Sequence, residues 1–126
     1  MKRHSKQRDA VRSALYSVDC HPTATNVYDI VREEFPNISL ATVYRNLSEM
    51  RDDGDAIMLT TESGSVHYDA FTAPHSHLHC ANCGKVLDLP MELPDLCNAA
   101  NNTGCNVSRY SLMFYGVCKS CRKKIY

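Results

Sequence analysis

Two Cys-x-x-Cys pairs constrain this chain more than any other feature. Cys80-Ala-Asn-Cys83 and Cys118-Lys-Ser-Cys121 are separated by 34 residues of a 126-residue sequence. Four thiolates from two such knuckles close a tetrahedral site, the usual arrangement of structural zinc. Gly84, directly after the first pair, supplies the tight turn a knuckle needs. The gap is longer than in a compact zinc ribbon, so an intervening fold must bring the knuckles together. A redox dithiol or a disulfide would use the same residues. A second copy argues against redox work, since one dithiol suffices. The total of seven Cys is odd and leaves a thiol over from any closed set of disulfides. The basic start, MKRHSKQRD, has no apolar stretch behind it, which points away from a secretory signal and toward a cytosolic protein. In that reducing compartment clustered Cys suggest metal before disulfide. No apolar run is long enough for a transmembrane helix.

The chain divides in character. Cys20 alone lies in residues 1–67, which read as helices, while the other six Cys lie in 68–126. Ser5 is placed to cap a helix running to about Ser17, with Val11, Ala14, Leu15 and Val18 on one face. A second helix follows His21-Pro22-Thr23, turns Val27, Ile30, Val31 and Phe35 inward, and stops at Pro36. Behind Ser39, the residues Leu40, Val43, Tyr44, Leu47 and Met50 fall in an apolar stripe at helical spacing, ended by Gly54. Two β-prone runs, Ala56–Thr61 and Ser65–Ala70, flank Glu62-Ser63-Gly64 and read as a hairpin. Three helices and a hairpin, in that order, make a winged helix, whose third helix enters the major groove.

The outer face of that third helix offers Ala41, Thr42, Arg45, Asn46 and Ser48, types suited to base edges and phosphates. Lys2, Arg3, Lys6, Arg8 and Arg12 form a basic patch against Asp9 alone, although the formal net charge of the whole chain is zero. A solvated amphipathic face that binds nothing accounts for the helix equally well, and Asp52-Asp53-Gly54-Asp55 would repel phosphate if it faced the groove. In the second half, Lys85–Leu89 reads as a strand, Leu93–Asn102 as a helix ended by Gly104, and Asn106–Val117 as a long β-prone run.

A second constellation is His75-Ser-His77-Leu-His79. Alternate strand residues share a face, so two of these imidazoles can meet one ion. His21, Asp69 and Asp88 are the nearest further ligand candidates, and a mixed His and carboxylate set suits Fe(II), Mn(II) or Zn(II). Spacing alone leaves solvated surface imidazoles as an open alternative.

Taken together, these pieces resemble a known family. They are His21-Pro22-Thr23-Ala24, the run from Phe35 to Leu47 (FPNISLATVYRNL), Tyr68-Asp69, His75-Ser76-His77, Cys80 to Lys85, Asp88, and Tyr115-Gly116-Val117-Cys118-Lys119-Ser120-Cys121. The chain resembles the ferric uptake regulator (Fur) family of bacterial metal-dependent repressors, and most closely its peroxide-sensing, PerR-like branch. The resemblance covers nearly the whole chain from about Lys6. It implies an α+β protein: a winged helix-turn-helix domain over 1–67, a hinge over 68–74, and a small α/β dimerisation and metal-binding domain over 75–126 with a four-cysteine zinc site. It also implies a cytoplasmic homodimer on a palindromic double-stranded DNA operator, with no membrane and no organic cofactor.

By the same resemblance, Cys80, Cys83, Cys118 and Cys121 hold structural zinc, and His21, Asp69, His75, His77 and Asp88 hold regulatory Fe(II) or Mn(II), with Zn(II) as a substitute. Thr42, Tyr44, Arg45 and Asn46 lie on the recognition helix. The family's peroxide sensors respond when bound Fe(II) reacts with hydrogen peroxide and oxidises a ligand imidazole, by position His21 or His75, and the operator is released without enzymatic turnover. Asp at position 88, where iron and zinc sensors more often have Glu, favours that branch over a metal-sufficiency repressor. Departures are the missing helix that most members carry before the first one, His79 where a non-ligand is usual, and Cys20 beside His21. Cys97 and Cys105 read as buried small hydrophobes, and Tyr110 and Phe114 as core. A zinc deaminase is disfavoured, because the His run lacks the Glu such an enzyme needs and four thiolates leave no open position for water. A zinc-stabilised interaction module without a DNA role is the remaining rival.

Overall fold

The computed structural model describes residues 6–17, 20–73 and 75–125. The chain divides into two compact units, Met1–Ala73 and Pro74–Tyr126.

In the first unit, α1 (Lys6–Tyr16), α2 (Ala24–Val31) and α3 (Leu40–Asp52) precede the antiparallel pair β1 (Ile57–Thr60) and β2 (Val66–Asp69), the order of a winged helix. Side chains set the helix starts. Thr23 Oγ1 accepts the Asn26 N–H while Asn26 Oδ1 accepts the Thr23 N–H, a complete capping box on α2. Ser39 Oγ accepts the Thr42 N–H and caps α3. Gly54, at φ 81°, turns the chain out of α3 in a left-handed conformation that L side chains resist. The helix expected up to Pro36 ends earlier, at Val31, and passes into a turn in which the Phe35 N–H reaches the Val31 carbonyl.

One core unites the three helices and the hairpin: Val11, Ala14, Leu15, Val27, Val31, Ile38, Val43, Leu47, Met50 and Tyr68 are buried. Fully burying side chains such as Leu47 or Met50 stabilises the unit by about 1.5–3 kcal/mol each. Ile30 and Phe35 pack against this core partly exposed. The expected cap Ser5, the basic residues Lys2 and Arg3, and the apolar Val18 lie outside the described residues.

Two sequence expectations need correction here. The inward stripe of α3 is Val43, Asn46, Leu47 and Met50, whereas Leu40 and Tyr44 are exposed. The register i, i+3, i+4, i+7 is the helical one, but a polar residue occupies one of its positions and two large apolar residues lie outside it. Asn46, assigned to the outer face, is only 6% exposed. The basic patch is also smaller than the sequence suggests. Arg8 is buried, with Nη2 2.9 Å from Asp53 and 3.8 Å from Asp55 and Nη1 3.4 Å from Glu49, and Arg12 reaches Asp55 at 3.3 Å. The acidic stretch after α3 therefore neutralises α1 within the unit instead of standing unpaired.

The second unit is built on a three-stranded sheet of order β4-β3-β5, from β3 (Ser76–Cys80), β4 (Val86–Leu89) and β5 (Met113–Gly116), with α4 (Leu96–Asn101) and α5 (Lys119–Ile125). β4 runs antiparallel to β3 and β5 runs parallel to it. Only four residues of the long β-prone run pair as a strand, the helix expected over Leu93–Asn102 is confined to Leu96–Asn101, and α5 was not anticipated. The buried apolar cluster is small, formed by Cys80, Cys118 and Cys121 with Leu78 and Leu87 against them. So small a core leaves residues outside that were expected in it: Phe114 and Cys105 are exposed, while Cys97 and Tyr110 are half-buried. No helix among the described residues is long and apolar enough to cross a membrane.

Candidate metal centres and nucleic-acid interface

The parallel pairing of β3 with β5 explains how knuckles 34 residues apart meet. The register places Cys80 opposite Gly116, so both strands end at the same edge of the sheet. The first knuckle turns there, with the Gly84 N–H on the Cys80 carbonyl and the Cys80 N–H on the Lys85 carbonyl. The second begins two residues after Gly116 and runs into α5, where the Arg122 N–H bonds the Cys118 carbonyl. Cys118 and Cys121 thus lie three apart at a helix start and face the same way.

The four sulfurs lie within 4.8 Å of one another, and Cys83 Sγ is 3.9 Å from Cys118 Sγ. A tetrahedral zinc with Zn–S bonds of about 2.3 Å requires sulfurs about 3.8 Å apart, so the set fits zinc and is far from disulfide distance. All seven cysteines are free thiols. Burial pushes the Cys80 thiol up, but the N–H groups of Cys118, Cys83 and Asn82 and the Cys83 side chain outweigh it and hold Cys80 at about 6. The Lys85 N–H favours the Cys83 thiolate, but burial and the sulfurs of Cys80, Cys121 and Cys118 push that thiol up to about 11. Sulfurs this close resist ionising together unless a cation sits among them, and a metal held by the four would do that work.

The nitrogen and oxygen donors form two sets, one in each unit. In the first unit, His21 Nε2 lies 3.4 Å from Asp69 Oδ2, and Asp69, at the end of β2, is buried and accepts the Phe71 N–H. In the second, antiparallel pairing sets His77 opposite Asp88, and the strand period puts His75 on the same face. Asp88 Oδ1 is 2.8 Å from His75 Nε2 and 3.6 Å from His77 Nε2, and the two rings stand 4.3 Å apart. His79 shares their parity but pairs with Val86 in place of Asp88, and its ring meets Tyr115 edge-on at 5.9 Å.

Sequence reasoning missed His67. It is buried on β2, with Nδ1 2.7 Å from the His21 carbonyl and Nε2 3.0 Å from Ser65 Oγ. Its only sequence signal was its place in an alternating strand next to Tyr68-Asp69. On α3, Tyr44 and Arg45 face outward, Thr42 is half-buried with its hydroxyl 2.9 Å from Ser39 Oγ, and Asn46 packs inward.

The model of the ferric uptake regulator family matches residues 2–115. This chain belongs to that family. Members are metal-dependent regulators, and the four-cysteine set and the His and Asp groups are the metal-binding features expected of one. Among relatives, the peroxide operon regulator of Bacillus subtilis (strain 168) is 40% identical over 97% of this chain and 86% of that protein. The peroxide-responsive repressor PerR of Staphylococcus aureus (strain USA300) is 37% identical over 97% of this chain and 84% of that one. The crystal structure of the Campylobacter jejuni peroxide stress regulator superposes with a TM-score of 0.78 at 30% identity, covering 91% of this chain and 88% of the other. The fold is that of the family, a winged helix-turn-helix unit followed by an α/β unit with a four-cysteine site.

Proposed function

We propose that this protein is a DNA-binding repressor that releases its operator when hydrogen peroxide oxidises a ligand histidine. The carrying observation is the donor chemistry: His21 with Asp69, and His75 and His77 with Asp88, are nitrogen and oxygen ligands without sulfur, the kind that Fe(II) and Mn(II) take. The names of the relatives support the peroxide reading. In this proposal the five residues complete one regulatory site, and Cys80, Cys83, Cys118 and Cys121 hold structural zinc. These residues would hold Fe(II), which would supply the redox chemistry by which one hydrogen peroxide adds an oxygen to a ligand imidazole, its other oxygen leaving as water.

The residues do the rest. His21 belongs to the DNA-binding unit and His75, His77 and Asp88 to the other, so joint ligation favours one arrangement of the two by the difference in metal affinity between arrangements. An oxidised imidazole at His21 or His75 is a poorer ligand, which removes that bias. Thr42, Tyr44 and Arg45 contact the operator, with Asn46 packed behind them. Each molecule responds once, so the protein is not an enzyme, and it works in the cytoplasm on double-stranded DNA.

The protein acts as a homodimer. β5 is an edge strand of its sheet, and Phe114, Tyr115 and Val117 are exposed along and after it. An edge strand with exposed apolar side chains is a template for a second copy.

The deciding experiment loads anaerobic protein with Fe(II), adds one equivalent of hydrogen peroxide, and follows peptide masses and DNA binding together. The expected result is one added oxygen on the peptide holding His21 or His75, with loss of binding. DNA binding governed by chelator and added metal, with no oxygen added, would move the protein to an iron- or zinc-sufficiency repressor.

A further inference from the structure

We propose that His67 is a positioning residue that holds His21 in place to bind the regulatory metal. This rests on the reading of His21 as a ligand. His21 lies in an irregular segment ahead of α2, where no ladder or helix fixes its backbone. Two consecutive residues of β2 do so instead. His67 Nδ1 is 2.7 Å from the His21 carbonyl, and the Tyr68 N–H donates to the Pro22 carbonyl at 2.9 Å.

The tautomer follows from the partners. A carbonyl can only accept, so Nδ1 carries the proton. In the neutral ring Nε2 is then an acceptor, and the Ser65 hydroxyl 3.0 Å away donates to it. Ser65 Oγ also lies 2.6 Å from Thr61 Oγ1, so the ring is oriented by the turn that joins the two strands of the hairpin. His67 and Asp69 are two apart on β2 and share a face. One strand thereby supplies the group that fixes the backbone of His21 and the carboxylate that meets its ring. A ligand fixed in advance need not be ordered when the ion arrives, and outer groups of this kind change metal affinity by roughly 10–100-fold when removed.

Two substitutions in the full-length, zinc-loaded protein separate this role from packing. In His67→Asn the amide nitrogen takes the place of Nδ1 and can still donate to the His21 carbonyl. In His67→Gln the amide reaches toward Ser65 and leaves that carbonyl without its donor. Mn(II) titration is the readout, with zinc content and thermal midpoint measured alongside. His67→Gln is expected to weaken Mn(II) binding about tenfold or more, and His67→Asn to stay near wild type, with zinc and thermal midpoint unchanged in both. Wild-type Mn(II) affinity in His67→Gln would overturn the proposal, as would equal losses in both variants that track the thermal midpoint. Wild-type protein that binds no Mn(II), or binds it equally well as His21→Ala, would overturn the ligand reading itself.

Discussion

Replacing Arg8 by Met tests whether this residue serves the fold or the DNA. Met retains an apolar stem of similar reach, so the substitution removes mainly the guanidinium. That group is 4% exposed and faces three carboxylates, Asp53 at 2.9 Å, Glu49 at 3.4 Å and Asp55 at 3.8 Å. A charge-assisted hydrogen bond of good geometry contributes about 1.5–3 kcal/mol, and only the bond to Asp53 is short enough to count fully. Breaking a fully buried pair costs about 3–5 kcal/mol because the partner is stranded. Here the partners' side chains are 23%, 46% and 40% exposed, so water takes over part of the loss. The expected destabilisation is therefore about 2 kcal/mol, or a fall of roughly 8–16 °C in the melting of a unit this size. Arg12→Met, which breaks a pair exposed on both sides, is expected to cost under about 1 kcal/mol. Thermal melting followed by circular dichroism measures both. DNA binding against salt concentration supplies the second axis. A phosphate contact contributes about 0.9 to the slope of log affinity against log salt, and Arg8→Met should leave that slope unchanged. An unchanged melting temperature with a slope reduced by about 0.9 would refute the internal clamp and return Arg8 to the DNA-facing patch.

Cys118→Ser removes one sulfur of the closed set and should take bound zinc from one ion per chain to none by atomic emission. Because structural zinc contributes on the order of 10 kcal/mol to folding, the second unit should lose its circular dichroism signal with it. Phe114→Glu places a charge on the exposed edge strand, and sedimentation should show self-association weakened by about tenfold or more, which is about 1.4 kcal/mol. Burial, and then the neighbouring Tyr44, raise the Tyr68 phenol above 10.0, against the opposing pull of Arg51. The unfolded chain ionises first, so the stability tied to Tyr68 is complete below about pH 10 and is lost as pH climbs through the folded value. Tyr68→Phe should show a smaller drop in urea midpoint between neutral and strongly alkaline pH than wild type.

The helices were legible because caps and periodicity agree: Thr23 and Ser39 stand where hydrogen bonds start α2 and α3, and Val43, Leu47 and Met50 recur at helical spacing. Leu40 and Tyr44 were misassigned because hydropathy gives a residue's taste for burial, not its angle around the axis. Arg8 was misread because a charge count carries no distances, and its partners lie more than 40 positions away in sequence. The long run Asn106–Val117 promised more strand than its partner could pair, since β3 is only five residues long. The helix α5 was hidden because Lys119–Ile125 has no apolar stripe, and its helical turn follows the second knuckle. The four thiols were plain in the sequence from their spacing. His67 was not, because a single histidine that supports another by its backbone leaves no motif.

The parallel pairing of β3 with β5 has a consequence for how the protein is made. The first unit is assembled largely from neighbouring elements and can settle early, but the second must close a loop of 38 residues from Cys80 to Cys118 before its cluster exists. Closing such a loop costs about 3 kcal/mol in chain entropy, and non-local pairings of this kind are slow to form. The buried cluster at that junction is mostly cysteine, so a metal held by the four sulfurs would supply much of what opposes that cost. Zinc supply would then set the yield of mature protein, and a cell short of zinc would accumulate chains with a finished head and an unfinished second unit, open to proteolysis before they ever meet an oxidant.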